Sequence, residues 1–246
     1  MFTRHGGVSP APFASLNLGY SVGDRPENVE ENRRRLVRAL GLERLCSAIQ
    51  VHSDRVRIVP SGWQRTGMEG VDALITDRPG VGLLIQQADC QAVLLHDPVH
   101  KVIAAVHNGW RGSVAGIVAK TIRVMTERYA TAPADLLATV SPSLGPCCSQ
   151  FVNHRRELPP EFRRFRTGAD HFDFWRITCW QLRRCGVRAE RIEVAGFCTR
   201  CSRDFFSYRR ARAGGGSGVT GRNGSVIMLP SEPAGSHRAG GHGRTE

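Results

Sequence analysis

Three apolar runs of strand length dominate the middle of the chain and are separated only by short polar segments. They cover residues 81–86, 92–96 and 101–106, and runs of this length are typical of β-strands. Shorter runs predict strands at residues 48–51, 56–59, 138–140, 192–194 and 226–229. Apolar residues at helical spacing predict helices at residues 26–40, 114–129 and 174–185. Because strands and helices alternate without an internal repeat, we expect an α/β fold, built as an α+β layered sandwich.

The length of the chain favours one domain. Its 246 residues fall within the range of about 50 to 250 residues that is common for single domains, and we expect that domain to cover residues 1–230. Residues 231–246 contain almost no apolar side chains, so they are predicted to form a disordered tail. His237 and His242 lie in this tail and are not expected to take part in the function.

The net charge of +12 suggests attraction to phosphate groups, but its distribution does not indicate a nucleic-acid surface. Lys101 and Lys120 are the only lysines, so nearly all the basic residues are arginines, which lie in dispersed clusters. The sequence contains no platform of interleaved aromatic and basic residues and no known nucleic-acid module. We therefore disfavour nucleic acid as a partner.

The sequence shows no recognisable targeting or membrane segment. The first residues lack a basic segment followed by an apolar run, and no stretch of about 18 apolar residues occurs. We expect a cytoplasmic protein with no membrane partner. Its eight cysteines should then stay reduced, which favours metal binding or catalysis over a disulfide framework.

Three residues with metal-binding side chains, His52, Cys90 and His107, each stand at the end of a predicted strand. Two imidazoles and one thiolate leave a fourth tetrahedral position open, which is the ligand number of a catalytic zinc site. Spacing alone does not establish such a site, because buried histidines and inert buried cysteines are common in protein cores.

Eight segments of the chain add a family resemblance to this pattern. In order they read FTRHGGVSPAPFASLNLGYSVGD, QVHSDRV, VDALIT, QQADCQAVLL, AAVHNGWRGSVAGI, SPSLGPCC, FCTRC with FFSYRR, and VTGRNGSVIML. Across residues 2–229 the chain resembles the zinc-dependent purine nucleoside phosphorylases and adenosine deaminases formerly described as multicopper polyphenol oxidases or laccase-domain proteins. The resemblance implies a single α/β domain of the type shared with bacterial cytotoxic deamidases. It also implies zinc as the cofactor, held by His52, Cys90 and His107.

The same resemblance implies a reaction and further site residues. Adenosine, inosine or methylthioadenosine would react with phosphate to give the free base and ribose 1-phosphate, and adenosine would also be deaminated. Residues in the matching segments that are candidates for the substrate pocket are Arg4, Asn17, Gln50, Arg209 and Arg222. The chain departs from the family pattern at Asn108, where alanine is usual, and this departure bears on substrate preference more than on metal binding.

Two residues beside the predicted ligands carry open alternatives. Arg111 lies in the turn NGWRGS before a predicted helix, where backbone N–H groups favour anions, so it is a candidate for holding phosphate; alternatively it pairs with a structural carboxylate. Asp89 precedes Cys90 and is a candidate for proton transfer during deamination. Alternatively Asp89 is a turn residue that bonds to nearby backbone.

Other interpretations of the cysteines and the charge stay open. Cys90 could be the nucleophile of an amide hydrolase with His107 as its base, for instance in peptidoglycan-precursor editing. A copper polyphenol oxidase would need several copper ions and many histidines, and none of the nine histidines forms an H-x-H pair. A non-enzymatic basic binding protein is a third alternative. Adjacent cysteines rarely serve one tetrahedral site, so the sequence does not assign a second, structural zinc to Cys147, Cys148, Cys198 and Cys201. The oligomeric state is not predicted.

Overall fold

Two β-sheets and the helices around them form the part of the chain that the computed structural model describes, residues 1–60 and 68–231. The strands are Arg44–Ile49 (β1), Val56–Ile58 (β2), Met68–Glu69 (β3), Ala73–Thr76 (β4), Val81–Gln87 (β5), Gln91–Asp97 (β6), Val102–Asn108 (β7), Leu137–Val140 (β8), Ile192–Val194 (β9) and Asn223–Met228 (β10). The helices are Pro26–Leu40 (α1), Trp110–Ala115 (α2), Ile117–Tyr129 (α3), His154–Glu157 (α4), Phe174–Arg184 (α5) and Tyr208–Ala211 (α6). The predicted tail, apart from Ser231, lies outside the described residues. None of the described helices has the length and apolar content needed to cross a membrane.

The strands and helices are arranged in four layers. The first sheet has the strand order β10-β5-β1-β3, and the second has the order β2-β4-β7-β6-β8-β9. Ile85 of the first sheet and Ile103 of the second share one buried cluster between the sheets. Leu36 of α1 packs with Leu84 on the outer side of the first sheet, and Ile122 of α3 belongs to the cluster on the outer side of the second. The layers therefore run helix, sheet, sheet, helix, and the predicted α/β layered sandwich is confirmed.

Strand β7 is apolar from Val102 to Val106 because both of its faces are buried. Val102, Ala104 and Val106 belong to the cluster shared with α3, whereas Ile103 and Ala105 belong to the cluster between the sheets. Successive side chains of a strand point to opposite faces, so a strand between two covered faces needs apolar residues at both. β7 continues two residues beyond the predicted run, to Asn108, so that His107 lies within the sheet.

The predicted single helix over residues 114–129 is wrong. The helical segment begins at Trp110, and Gly116 divides it into α2 and α3. Gly116 has a φ of 78°, a left-handed conformation that glycine adopts without a steric penalty. Arg111 therefore lies in the first turn of α2 and not in a turn that precedes the helix.

Two predicted strands differ most from the observed limits. β1 ends at Ile49 because the next two residues turn away: Gln50 bonds to the backbone of Gln86, and the N–H of Val51 bonds to Asp72. β10 begins at Asn223, earlier than predicted. Its first residues are polar and therefore gave no apolar signal, but they pair with β5 and are buried. Residues 73–76, which carried no strand prediction, form β4.

The chain crosses between the sheets at two places that matter for function. β1 belongs to the first sheet and β2 to the second, so residues 50–55 form one crossing. β5 and β6 are divided in the same way, so residues 88–90 form another. His52 lies in the first crossing and Cys90 in the second. Both crossings meet β7 near its end, where Ala92 pairs with His107.

Candidate metal centre and its surroundings

The structure brings His52, Cys90 and His107 together, and we call these three residues the His-Cys-His site. Their potential ligand atoms all lie within 4.8 Å of one another. The sulfur of Cys90 is 3.8 Å from Nε2 of His52. For a tetrahedral ion with a metal–nitrogen distance of about 2.05 Å and a metal–sulfur distance of about 2.3 Å, the expected sulfur–nitrogen separation is about 3.6 Å. His107 is buried, Cys90 is half-buried and His52 is exposed, so the site opens to solvent on the His52 side.

Asp72, to which the sequence assigned no role, organises two of the three candidate ligands. Its carboxylate accepts a hydrogen bond of 2.8 Å from Nδ1 of His107. It also accepts bonds from the backbone N–H groups of Val51, His52 and Ser53 and from the Ser53 hydroxyl. The bond to His107 leaves Nε2 of that ring free for a metal, an arrangement common in histidine ligands. Asp72 is completely buried and therefore fixes both the His107 ring and the His52 turn.

The backbone at His52 and Asp89 is held in an unusual conformation. Their φ angles are 60° and 90°, in a region that costs of order 1–3 kcal/mol for residues other than glycine. The Asp72 carboxylate fixes His52 through a 2.9 Å bond to its N–H. Contacts from two later segments of the chain hold Asp89, as described below. Such conformations persist only where the surroundings determine them.

Asp72 and the residues of the His-Cys-His site shift one another's pKa values. Burial alone would raise the pKa of the Cys90 thiol, but His107 and His52 outweigh this effect and lower it to about 6. Burial alone would lower the pKa of His107, but Cys90 and Asp72 outweigh it and raise the pKa to about 9. Burial would raise the pKa of Asp72, but bonds from His107 and Ser53 lower it to about 2. The lowered pKa of Cys90 favours the thiolate, which is the form of cysteine that binds a metal ion.

Gly109 leaves room beside all three candidate ligands. A Cβ atom added at this position would lie 2.9 Å from Cδ2 of His52, 3.2 Å from the Cys90 sulfur and 3.7 Å from Cε1 of His107. The φ of Gly109 is −69°, so its backbone does not itself require glycine. Glycine is therefore needed at position 109 because a side chain there would crowd the three candidate ligands. Two imidazoles, one thiolate and this space fit a borderline-soft ion such as zinc.

Asp89 links the Cys90 crossing to two later segments. One carboxylate oxygen accepts a 2.7 Å bond from the Thr199 hydroxyl, and the other accepts a 2.6 Å bond from the N–H of Arg209. These partners are distant in sequence, so Asp89 is more than a local turn residue. Thr199, which the sequence did not single out, is buried. Proton transfer by Asp89 stays a prediction.

Arg111 has an exposed guanidinium two residues from Gly109. Its Cζ atom lies 4.6 Å from the centroid of the Trp110 ring, and cation–π stacking of this kind leaves the edge of the guanidinium available. It forms no ion pair with any of the described residues. The alternative of a structural carboxylate partner therefore finds no support among them.

The other five predicted pocket residues occupy different positions in the hydrogen-bond network: Arg4, Asn17, Gln50, Arg209 and Arg222. Burial lowers the pKa of Arg222, and the negative charges of Cys90 and Asp89 partly offset this effect. Asn17 is completely buried and accepts the N–H of Arg222. Gln50 pairs with both backbone groups of Gln86, and Arg209 donates to the carbonyl of Gln150. Arg4 donates to the carbonyl of Ala14 and stacks on Phe206.

Asn108, the departure from the family pattern, points away from the candidate ligands. Its amide nitrogen donates to Gln91 and Thr178, each at 3.0 Å, and the residue is buried. Thr178 belongs to α5, so this bond joins the second sheet to the outer helix layer. The substitution therefore acts on packing behind the site.

Comparison with known proteins identifies the family. The family model described as multi-copper polyphenol oxidoreductase laccase matches residues 1–230. The chain belongs to this laccase family. Purine nucleoside phosphorylase YlmD from Geobacillus stearothermophilus is 36% identical over 239 residues, covering 89% of this chain and 85% of the relative. A purine nucleoside phosphorylase from Bacteroides thetaiotaomicron is 35% identical, covering 85% of this chain and 84% of the relative.

A solved structure supports the assignment to the laccase family. The crystal structure of the hypothetical protein YfiH from Bacillus licheniformis superposes with a TM-score of 0.84 at 32% identity, covering 92% of this chain and 90% of that chain. Both the family resemblance predicted from the sequence segments and the fold class are thereby confirmed.

In this laccase-family protein, the variant Asp72→Asn is expected to bind metal about 10–100-fold more weakly, the usual effect of removing a partner that orients a ligand. An asparagine keeps the shape of Asp72, but its NH₂ group replaces one carboxylate oxygen and cannot accept hydrogen bonds. The variant therefore loses either the bond from His107 or the bonds from Val51 and Ser53, which go to different oxygens. Competition with a chromogenic zinc chelator measures the affinity. Asp135→Asn, which alters a surface carboxylate near Arg188, is the control. An unchanged affinity in Asp72→Asn would show that Asp72 does not orient the ligands.

Proposed function

We propose that this protein is a zinc-dependent purine nucleoside phosphorylase that also deaminates adenosine. The observation that carries the proposal is the convergence of His52, Cys90 and His107, with Gly109 packed closely against all three. The names of the two relatives described above support the same reaction class. The proposed substrates are adenosine, inosine or methylthioadenosine together with phosphate.

Zinc is the proposed cofactor, and His52, Cys90 and His107 would hold it. Their nitrogen and sulfur donors suit zinc, and three protein ligands leave one position for water or substrate. A zinc ion bound there supplies a Lewis acid that activates water or polarises an oxygen atom. Asp72 keeps Nε2 of His107 available by accepting a hydrogen bond from the Nδ1–H group.

Arg111 is the proposed anchor for phosphate. Its exposed guanidinium offers N–H groups that match phosphate oxygens. In phosphorolysis, a phosphate oxygen forms a bond to C1′ of the ribose while the bond from C1′ to the purine nitrogen breaks. The purine leaves with the bonding electrons and takes up a proton. In deamination, water adds at C6 of adenosine and ammonia leaves.

The products decide between the two reactions and test the function. With adenosine and phosphate, the purified protein is expected to form adenine and ribose 1-phosphate. Without phosphate, it is expected to form inosine and ammonia. Chromatography of both mixtures, with zinc measured on the same samples, gives the answer. If neither adenine nor inosine forms with zinc-loaded protein, the assignment to nucleosides is wrong.

The variant Arg111→Ala is expected to raise the KM for phosphate by about 10-fold or more, because a hydrogen bond to a charged group contributes about 1.5–3 kcal/mol. Zinc content and deamination without phosphate should be unchanged, since Arg111 is not a ligand. Arg123→Ala, an exposed arginine of α3, is the matched control. An unchanged KM in Arg111→Ala would remove Arg111 from the phosphate site.

A second candidate, a cysteine-dependent amide hydrolase, is favoured by one observation. The site places a thiol beside an imidazole and the imidazole beside an orienting carboxylate, supplied by Cys90, His107 and Asp72. The pKa of Cys90 is lowered to about 6. The same order of groups activates thiol nucleophiles. Removal of metal by a chelator separates the candidates: it should abolish phosphorolysis by a zinc enzyme but leave a cysteine hydrolase active.

A further inference from the structure

Two pairs of cysteines that are far apart in sequence meet on the side of the fold where β8 and β9 end. β8 and β9 are parallel neighbours, with Val140 paired to Val194, so the loops that follow them leave the sheet at the same edge. Ser143 and Cys198 continue this parallel pairing as an isolated bridge. The topology therefore brings residues 147–148 and 198–201 side by side.

The four sulfur atoms are spaced as the ligands of one tetrahedral ion would be. The sulfur of Cys201 lies 3.7 Å from that of Cys147 and 3.5 Å from that of Cys148. All four sulfurs, including that of Cys198, lie within 4.8 Å of one another. A tetrahedral zinc ion with zinc–sulfur distances of about 2.3 Å requires sulfur–sulfur separations of about 3.8 Å.

The turn at Gly145 allows both adjacent cysteines to face the same point. A Cβ atom at Gly145 would lie 3.0 Å from Cβ of Cys198 and 2.9 Å from the ring of Trp175, so only glycine permits this approach. The N–H of Cys148 bonds back to the carbonyl of Gly145 at 2.9 Å, which closes the turn. This turn lets the adjacent sulfur atoms of Cys147 and Cys148 belong to one cluster.

Groups that suit negative charge lie beside the four sulfur atoms. The N–H groups of Gly145 and Cys201 donate to the sulfur of Cys198. The guanidinium of Arg210 donates to the carbonyls of residues 199, 200 and 202 and places a positive charge against the same loop.

We propose that this cluster is a second, structural metal site that takes zinc, formed by Cys147, Cys148, Cys198 and Cys201. Four thiolates without an open position are the ligand set of a structural zinc ion, and reduced thiols are what a reducing compartment supplies. We call it the four-cysteine site. It is independent of the chemistry proposed at the His-Cys-His site.

The four-cysteine site positions the surroundings of Asp89. Thr199 lies between the two cysteines of its loop and donates to the Asp89 carboxylate at 2.7 Å. On the other loop, the N–H of Leu144 donates to the Asp89 carbonyl at 2.8 Å. An ion that fastens the two loops together thus fixes Asp89 from both sides, at the residue next to Cys90.

Metal content of the full chain, purified without chelators and supplied with zinc, tests the proposal. The wild type should hold about two zinc ions per chain, and Cys147→Ser/Cys201→Ser should hold about one, because two of four ligands are lost. Cys179→Ser, a half-buried thiol outside both metal sites, should still hold two. One zinc in both the wild type and the double variant would overturn the proposal.

A second measurement uses the wild type alone, in case the double variant does not fold. Alkylation followed by mass spectrometry should show the four cysteines protected in zinc-loaded protein and reactive after zinc removal, while Cys179 reacts equally in both. Equal reactivity of the four cysteines in both states would contradict the proposal, as would disulfides among them in native protein purified under reducing conditions. The zinc content of His52→Ala distinguishes the two sites. If that variant keeps as much zinc as the wild type, the proposed metal at the His-Cys-His site is wrong, while the four-cysteine site is still supported.

Discussion

A Cys90→Ser variant is expected to lose the metal of the His-Cys-His site and, with it, both phosphorolysis and deamination. A serine hydroxyl stays protonated near neutral pH and is a far poorer ligand for zinc than a thiolate. Because a ligand itself is removed, the loss of kcat/KM should exceed the roughly 100-fold loss that follows removal of an orienting partner. Zinc content and initial rates with adenosine, with and without phosphate, measure the effect.

Cys179→Ser is the matched control for this variant, because Cys179 is a half-buried thiol of α5 outside both metal sites. It should keep wild-type rates. Retention of phosphorolysis by Cys90→Ser together with loss of metal would contradict the zinc mechanism. Retention of metal with loss of an amide hydrolase activity would favour the cysteine nucleophile.

Gly109→Ala is expected to reduce both metal affinity and kcat/KM, by about 100-fold, the scale of loss when reacting groups are displaced by about 1 Å. The new methyl carbon would lie 2.9 Å from the His52 ring and 3.2 Å from the Cys90 sulfur, so both must move. The φ of −69° suits alanine, so the thermal stability of the metal-free protein should change little. Metal titration and thermal unfolding separate the two effects.

Gly168→Ala provides the control, since the added carbon there would meet only His171, at the ordinary contact distance of 3.8 Å. It should bind metal as the wild type does. Wild-type affinity in Gly109→Ala would mean that the ligands adjust freely, and the space at Gly109 would then have no role in coordination.

The elements that could be predicted are those whose signals are local. α1 has the predicted bounds, because it starts at Pro26 and stops at Gly41, residues that favour the beginning and the end of a helix. The apolar runs of the second sheet were equally clear because that sheet is covered on both faces. The division of the helix at Gly116 was missed because helical spacing continues across that glycine.

The site was less predictable, because its geometry depends on contacts between distant residues. The strand-end positions of His52, Cys90 and His107 were visible, but their convergence was implied by the family resemblance and not by spacing. Asp72 was missed because a carboxylate before an apolar run resembles a turn residue. Only the pairing of Ala73 with Val106 places it beside His107. In the same way, only the parallel pairing of β8 with β9 brings the four cysteines together.

Because the chain crosses between the sheets at two of its ligands, a metal bound at the His-Cys-His site would also stabilise the fold. His52 and Cys90 lie on the connections that pass from the first sheet to the second, and His107 lies near the end of a strand of the second sheet. An ion held by all three would therefore cross-link the two sheets. By mass action, an ion at 1,000 times its Kd adds about 4.1 kcal/mol to the free energy of unfolding, a large share of the roughly 5–15 kcal/mol typical of a folded protein. Removal of the metal would then lower the free energy of unfolding as well as the activity.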